Sequence, residues 1–294
     1  MRPTDQISGR VENVIRRLRL LAAASCLLLA ASRAQAQFPG DVPNTFRLVA
    51  GGMYAWFQTD VTFQQDVTSG GPIGSGIDFE NRFDLPSQGG FYGRASFNLG
   101  FLSFDAGYLG FTRTRSVTIS QDVVFGDTTY TAGATVEARQ KSQLPYGGFR
   151  INFLHNPSTQ LGLTLGVAYP ILQAELSADA GVVGPGGPIT GQTVTKEGKI
   201  AVPVPLLGIL FDARLGDRVS AGIIFNGIFA PVHPYVGSII QADVHAEWYF
   251  ARNFGVGGGF NYTRFRIKKE DLPGVLVDFS QDFYGPRAFL ILTF

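Results

Sequence analysis

Apolar and polar residues alternate with a period of two in ten stretches between residue 46 and the C-terminus. The clearest is residues 240–250. There Ile240, Ala242, Val244, Ala246, Trp248 and Phe250 share one face, against Gln241, Asp243, His245, Glu247 and Tyr249. Residues 284–294 repeat the pattern: Tyr284, Pro286, Ala288, Leu290, Leu292 and Phe294 oppose Gly285, Arg287, Phe289, Ile291 and Thr293. Similar strands are predicted over 46–59, 89–98, from 102, up to 153, over 161–169, 200–214, 219–226 and 256–263. Each is about as long as a tilted membrane-crossing strand. Pro203 and Pro205 each remove a ladder donor and predict an irregular upper end for the sixth strand.

The connections alternate too. Short turns fall near 99, 156, 216 and 252, and longer segments at 60–88, 116–132, 177–199 and 268–276. The segment 116–132 reads as a loop or a protruding hairpin, and the connection at 231–236 is compact for its side. Short turns on one side with long loops on the other are the habit of closed membrane barrels. A soluble sandwich has no reason to turn Phe153, Phe211, Trp248 and Phe250 outward in register. The expected fold is all-β: a closed antiparallel up-and-down transmembrane β-barrel of about 10 strands, or 8 or 12 if one hairpin is misplaced.

Composition sharpens this picture. There are 37 Gly and 25 Phe among 294 residues, with only 16% charged, too apolar for a disordered chain. No apolar run after the leader is long enough for a membrane helix. Residues 1–36 read as a cleaved signal peptide: Arg16, Arg17 and Arg19 precede the apolar run 20–31, and Ala34-Gln35-Ala36 offers a small-x-small cleavage site. The remaining residues, 37–294, form one barrel domain, without a cysteine and with a net charge of −3 (18 basic, 21 acidic). That balance carries no nucleic-acid footprint.

The inward faces collect Arg94, Asp105, Arg150, Asp212, Arg214, Asp243, His245, Glu247 and Arg287. Charges inside a narrow barrel must pair or meet water, so the primary expectation is a lumen-filling ion network. Asp243, His245 and Glu247 share one strand face and are the one cluster with acid–base or metal-binding potential. No second His or Cys is placed to complete a metal site, and no metal or cofactor is expected. Gly255-x-Gly257-Gly-Gly259 lies within a strand pattern with no helix after it, which argues against a phosphate loop.

The terminal Phe294 behind Tyr284-Gly285-Pro286, together with Ile77–Leu85, Val124–Asp127 and Gly133–Val136, resembles the small bacterial outer-membrane β-barrel superfamily, in a Gram-negative branch to which no activity attaches. The resemblance implies an outer-membrane location with both termini periplasmic, and contact with outer-membrane lipid and lipopolysaccharide. It also implies insertion by the barrel-assembly machinery, with Tyr284, Leu290, Leu292 and Phe294 as the insertion signal, and a monomer. The expected role is structural or a narrow passive conduit, not an enzyme, because ten strands leave little or no pore. The alternative is a barrel enzyme, an omptin-like protease or a lipid-modifying hydrolase, using Asp243, His245 and Glu247. Omptin proteases keep their Asp and His residues at the extracellular rim, whereas Asp243 and His245 fall nearer the turn at 251–253.

Overall fold

The computed structural model describes residues 46–67, 71–73, 76–125, 127–156, 158–189, 191–232, 235–251, 253–269 and 275–293. The leader and Phe294 lie outside them. In chain order the strands are β1 (Phe46–Val67), β2 (Gly71–Ile73), β3 (Gly76–Asp78), β4 (Gln88–Leu99), β5 (Leu102–Thr118), β6 (Val123–Phe125), β7 (Thr128–Tyr130), β8 (Thr135–Asn156) and β9 (Thr159–Ala168). They continue as β10 (Ile171–Ala178), β11 (Val182–Gly184), β12 (Gly187–Ile189), β13 (Val194–Ala201), β14 (Val204–Arg214), β15 (Val219–Val232), β16 (Tyr235–Tyr249), β17 (Phe254–Lys269) and β18 (Val275–Thr293). One short helix, α1 (Phe79–Phe83), precedes β4.

Ten of these strands close a ring in the order β1, β4, β5, β8, β9, β14, β15, β16, β17, β18, every neighbour antiparallel and β18 returning to β1. The register fixes its geometry. From Phe46 the row of paired residues runs through Phe97, Phe104, Phe149, Leu165 and Leu207. It continues through Gly227, Ile240, Arg264 and Asp282 and returns to β1 at Gln58, twelve residues along. With strands ~4.8 Å apart and ~3.3 Å per residue, that shift gives a tilt of about 40° and a backbone radius of about 10 Å. A barrel so narrow is filled by its own side chains.

The outward faces form the belt that the alternation predicts. Phe91, Phe153, Leu290 and Trp248 stand exposed, at 56%, 68%, 66% and 49%. From Phe254 and Trp248 below to Tyr54, Trp56, Tyr169 and Tyr284 above, the belt spans about 25 Å, the height of an outer-membrane apolar band. Trp56 and Tyr284 pack with ring centroids 5.7 Å apart on the upper rim.

Beyond that rim the structure departs from the expected loops. β1 runs on to Val67, so much of 60–88 is strand, while 116–132 holds the end of β5 and the protruding hairpin that is one of its two readings, formed by β6 and β7. Residues 177–199 likewise hold the end of β10, a hairpin (β11 and β12) and most of β13. Above the belt the outer face loses its apolar residues, as at Thr112, Thr114, Lys141 and Arg266. The inner face keeps them, as at Val61 and Ile77, both buried, and that weaker alternation among glycines and acids reads as loop. Two of these connections also pair with each other, in a separate sheet ordered β12-β11-β7-β6. It is fastened to the barrel by the Tyr130 hydroxyl, which donates to the Leu176 carbonyl at 2.9 Å, and by Lys196–Asp127 at 2.8 Å.

Three prolines mark a crease across adjacent strands. β8 switches partner at Pro145, from β10 above to β9 below. Tyr169-Pro170 separates β9 from β10, and Val202-Pro203 separates β13 from β14. The expected irregularity of the sixth strand is here, and it extends to its neighbours.

Candidate functional site: the lumen

The lower half of the lumen holds the charged residues. Asp105 on β5 accepts from Arg94 at 2.8 Å, from Ser96 at 2.6 Å, and pairs with Arg150 at 3.0 Å. On β16, His245 sits between carboxylates: Nε2 is 3.0 Å from Asp212 and Nδ1 is 3.2 Å from Asp243. Asp243 also accepts from Arg287 and from Asn261. Glu247 takes Arg47 and the Tyr249 hydroxyl, the latter at 2.8 Å. Four arginines therefore face four carboxylates around one imidazole. Arg287 further lies 4.4 Å from the Tyr92 ring centre and 4.9 Å from that of Phe289.

Eight of the nine expected lumen residues thus pair within two clusters, Arg94, Arg150 and Asp105 in one and Asp212, Asp243, His245, Glu247 and Arg287 in the other. Arg214 is on the inward face but half-buried at the lower end of β14, beside Tyr249. Arg47 stands where a further cation was needed. Both faces of β1 are apolar enough that alternation alone did not single it out. Tyr284, Leu290 and Leu292, expected from the sequence as part of an insertion signal, lie on the outward face of β18. The glycine run of β17 has a packing cause: a Cβ at Gly257 would collide with the Phe289 ring.

The upper half differs from a lumen filled throughout by ions. Phe57, Phe111, Phe265 and Phe283 meet there, with centroids 5.1 Å apart for Phe57–Phe111, 5.3 Å for Phe111–Phe283 and 5.7 Å for Phe265–Phe283. Leu109, Leu144, Ile239 and Ile267 complete this apolar layer. Between the two halves lies a cavity of about 30 Å³, lined by Tyr92, Arg94, Leu206, Ile224, Gln241 and Arg287 among others. It has room for about two waters.

Above the aromatic layer, Arg113 is 1% exposed and pairs with Glu80 of α1 at 2.7 Å. It also donates to Thr59 at 3.0 Å and to Gln140, and its guanidinium lies 4.0 Å from the Phe57 ring centre. Glu80 in turn accepts from the Thr59 backbone N–H at 2.6 Å. Asp78 caps the helix by accepting from Asn81 N–H at 2.9 Å. Among the described residues, the segment Ile77–Leu85 therefore lies over the aromatic layer at the upper end of the barrel. Continuing the inward parity of β5 through Leu109 and Phe111 reaches Arg113, a signal masked by following the third strand only as far as Tyr108 and by reading 60–88, which holds Glu80, as a loop.

No protein-family model and no curated protein matches the sequence. Solved structures do. The outer membrane protease OmpT from Escherichia coli aligns at TM-score 0.50 and 12% identity over 88% of this chain and 99% of that one. This chain has the fold of an outer-membrane β-barrel. The translocator domain of autotransporter NalP from Neisseria meningitidis aligns over 99% of this barrel and 98% of its own length, at 13% identity and TM-score 0.38. The Pseudomonas putida toluene transporter TodX covers 86% of the barrel and 91% of itself, at 8% identity and TM-score 0.34. At these identities the likeness carries the fold alone. Among the described residues, no three His, Cys, Asp or Glu side chains are arranged to hold a metal ion.

Proposed function

We propose that this protein is a non-enzymatic, non-conducting barrel of the Gram-negative outer membrane, whose working surface is extracellular. One observation carries the reading: the aromatic layer of Phe57, Phe111, Phe265 and Phe283, sealed above by Arg113 and Glu80. A solute would have to displace buried rings and break a buried ion pair to pass. The barrel sits in outer-membrane lipid and lipopolysaccharide as a monomer, inserted by the barrel-assembly machinery, with both termini periplasmic and the sheet of β6, β7, β11 and β12 outside.

The enzymatic alternative finds little support in the site. Asp243, His245 and Glu247 lie beneath the aromatic layer, and their polar atoms are engaged with Asp212, Arg287, Arg47 and Tyr249. Among the described residues, the aromatic layer and the Arg113–Glu80 pair stand between them and the extracellular side. Planar-bilayer recording tests the closed lumen. The wild-type protein is expected to give no steady openings, and Phe111→Ala with Phe283→Ala to give small ones. Large, stable openings from the wild type would overturn the reading.

A further inference from the structure

The ring closes only as far up as the row through Leu207. Below it, β14 and β15 are zipped from Leu207–Gly227 to Arg214–Ser220. Above it, among the described residues, β13 pairs only with β10, and the upper part of β15 only with β16. Backbone directions explain why the ladder stops. Val202 donates to the Pro170 carbonyl and Arg214 to that of Ser158, so even-numbered residues of this strand face β9 and β10. Leu215 donates to Val219, so odd-numbered residues face β15, and odd-numbered residues of β15 face back. Extended upward, the register would pair 205 with 229 and 203 with 231, both as doubly bonded pairs. These positions are Pro205 with Phe229 and Pro203 with Pro231. Three of the four hydrogen bonds lack a donor.

Val204 Cγ2 lies 3.4 Å from where a Cβ on Gly237 of β16 would stand, so it reaches across the inner side of β15. The seam opens just below the outer aromatic rim. Its outer surroundings are lipid-facing: Val167 49%, Leu207 44%, Ile209 52% and Phe225 50% exposed. Its inner lining is also apolar, with Val202, Val204, Leu206 and Ile239 all buried. Leu206 additionally borders the lumen cavity.

We propose that this seam is a lateral port through which a hydrocarbon chain from the outer leaflet enters the barrel wall, with Val204 and Leu206 as the side chains it displaces. A continuous ladder would expose no such route, and a port into water would not be lined by valine and leucine. The port depends on the barrel being embedded in a bilayer; it does not depend on the lumen being sealed to ions.

The test uses the full chain refolded into dioleoylphosphatidylcholine vesicles, with p-benzoylphenylalanine replacing Leu206, Leu210 or Ile209. Irradiation should give lipid adducts at 206 and at the outward control 209, and at least tenfold fewer at the inward control 210, where the wall is zipped. Pro203→Ala, Pro205→Ala and Pro231→Ala together restore the donors and should lower the adduct at 206 to the level of 210. Heat-modifiable migration reports that each variant is folded, and Pro231→Ala alone, expected to lower the adduct partly, serves if the triple variant does not fold. Absence of adduct at 206 while 209 labels would overturn the port. An adduct at 206 that survives donor restoration in the folded barrel would overturn it equally, since entry would then not depend on the open ladder. Failure at 209 would instead count against the membrane embedding, and with it the port.

Discussion

Asp105, buried on the inner face of β5, receives two arginines and a serine hydroxyl. Removing it leaves the buried Arg94 and Arg150 without their shared counter-charge. Asp105→Ala is expected to cost about 3–5 kcal/mol, the range for breaking a buried pair from one side, measured by urea titration of the vesicle-embedded protein. His245 is a different case. Without its ring Asp243 keeps Arg287 and Glu247 keeps Arg47, while Asp212, its side chain 23% exposed, loses the imidazole but can turn to water, so His245→Ala should cost about 1–3 kcal/mol, the range for a polar group that loses its partner. Its outward neighbour gives the contrast: Val244→Arg places a charge against lipid and should cost about 2–4 kcal/mol near the midplane. A silent Val244→Arg would reverse the inside and outside of the barrel. At this scale the inward charges could be read from parity alone, because the opposite face of each strand is so apolar. Arg47 and Arg113 could not, one because both faces of β1 are apolar, the other because it lies beyond the outward belt.

Among the elements, α1 is the least self-sufficient. Five residues do not hold a helix by themselves, and this one is kept by the burial of Phe79 and Phe83 and by Glu80 reaching Arg113. Glu80→Gln removes the charge that balances a fully enclosed guanidinium. The expected result is a locally loosened cap, seen as faster trypsin cleavage after the exposed Arg82, while the heat-modifiable fold persists. Unchanged cleavage would mean that the phenylalanines alone hold the helix. The sequence showed each crossing strand but not its extension above the membrane, since the criterion used was an apolar outer face. Pro203 and Pro205 announced a disturbance in one strand. That Pro145 and Pro170 lie alongside on neighbouring strands follows only from the register, which no single strand reveals.

For the molecule as a whole, closure was legible from the even count of strands and the alternation of short and long connections. The ring of ten with a shift of twelve agrees with that reading. What fills the ring was half legible, because charges are conspicuous on an inward face whereas phenylalanines there look like more of the same apolar chain. Protease applied to intact cells should cut only in the upper connections and spare the turns near 156, 216 and 252. Cutting at those turns would place the termini outside.

The sheet of β6, β7, β11 and β12 joins residues 123–130 to residues 182–189. With this sheet outside, as proposed above, an antibody would meet a discontinuous epitope here, its halves supplied by connections more than fifty residues apart. Antibodies raised against the folded barrel and directed here should lose their target on boiling, and peptides copied from either connection should compete poorly. Change in one connection would then be answered in the other, across the Val182–Tyr130 pairing that holds the two together.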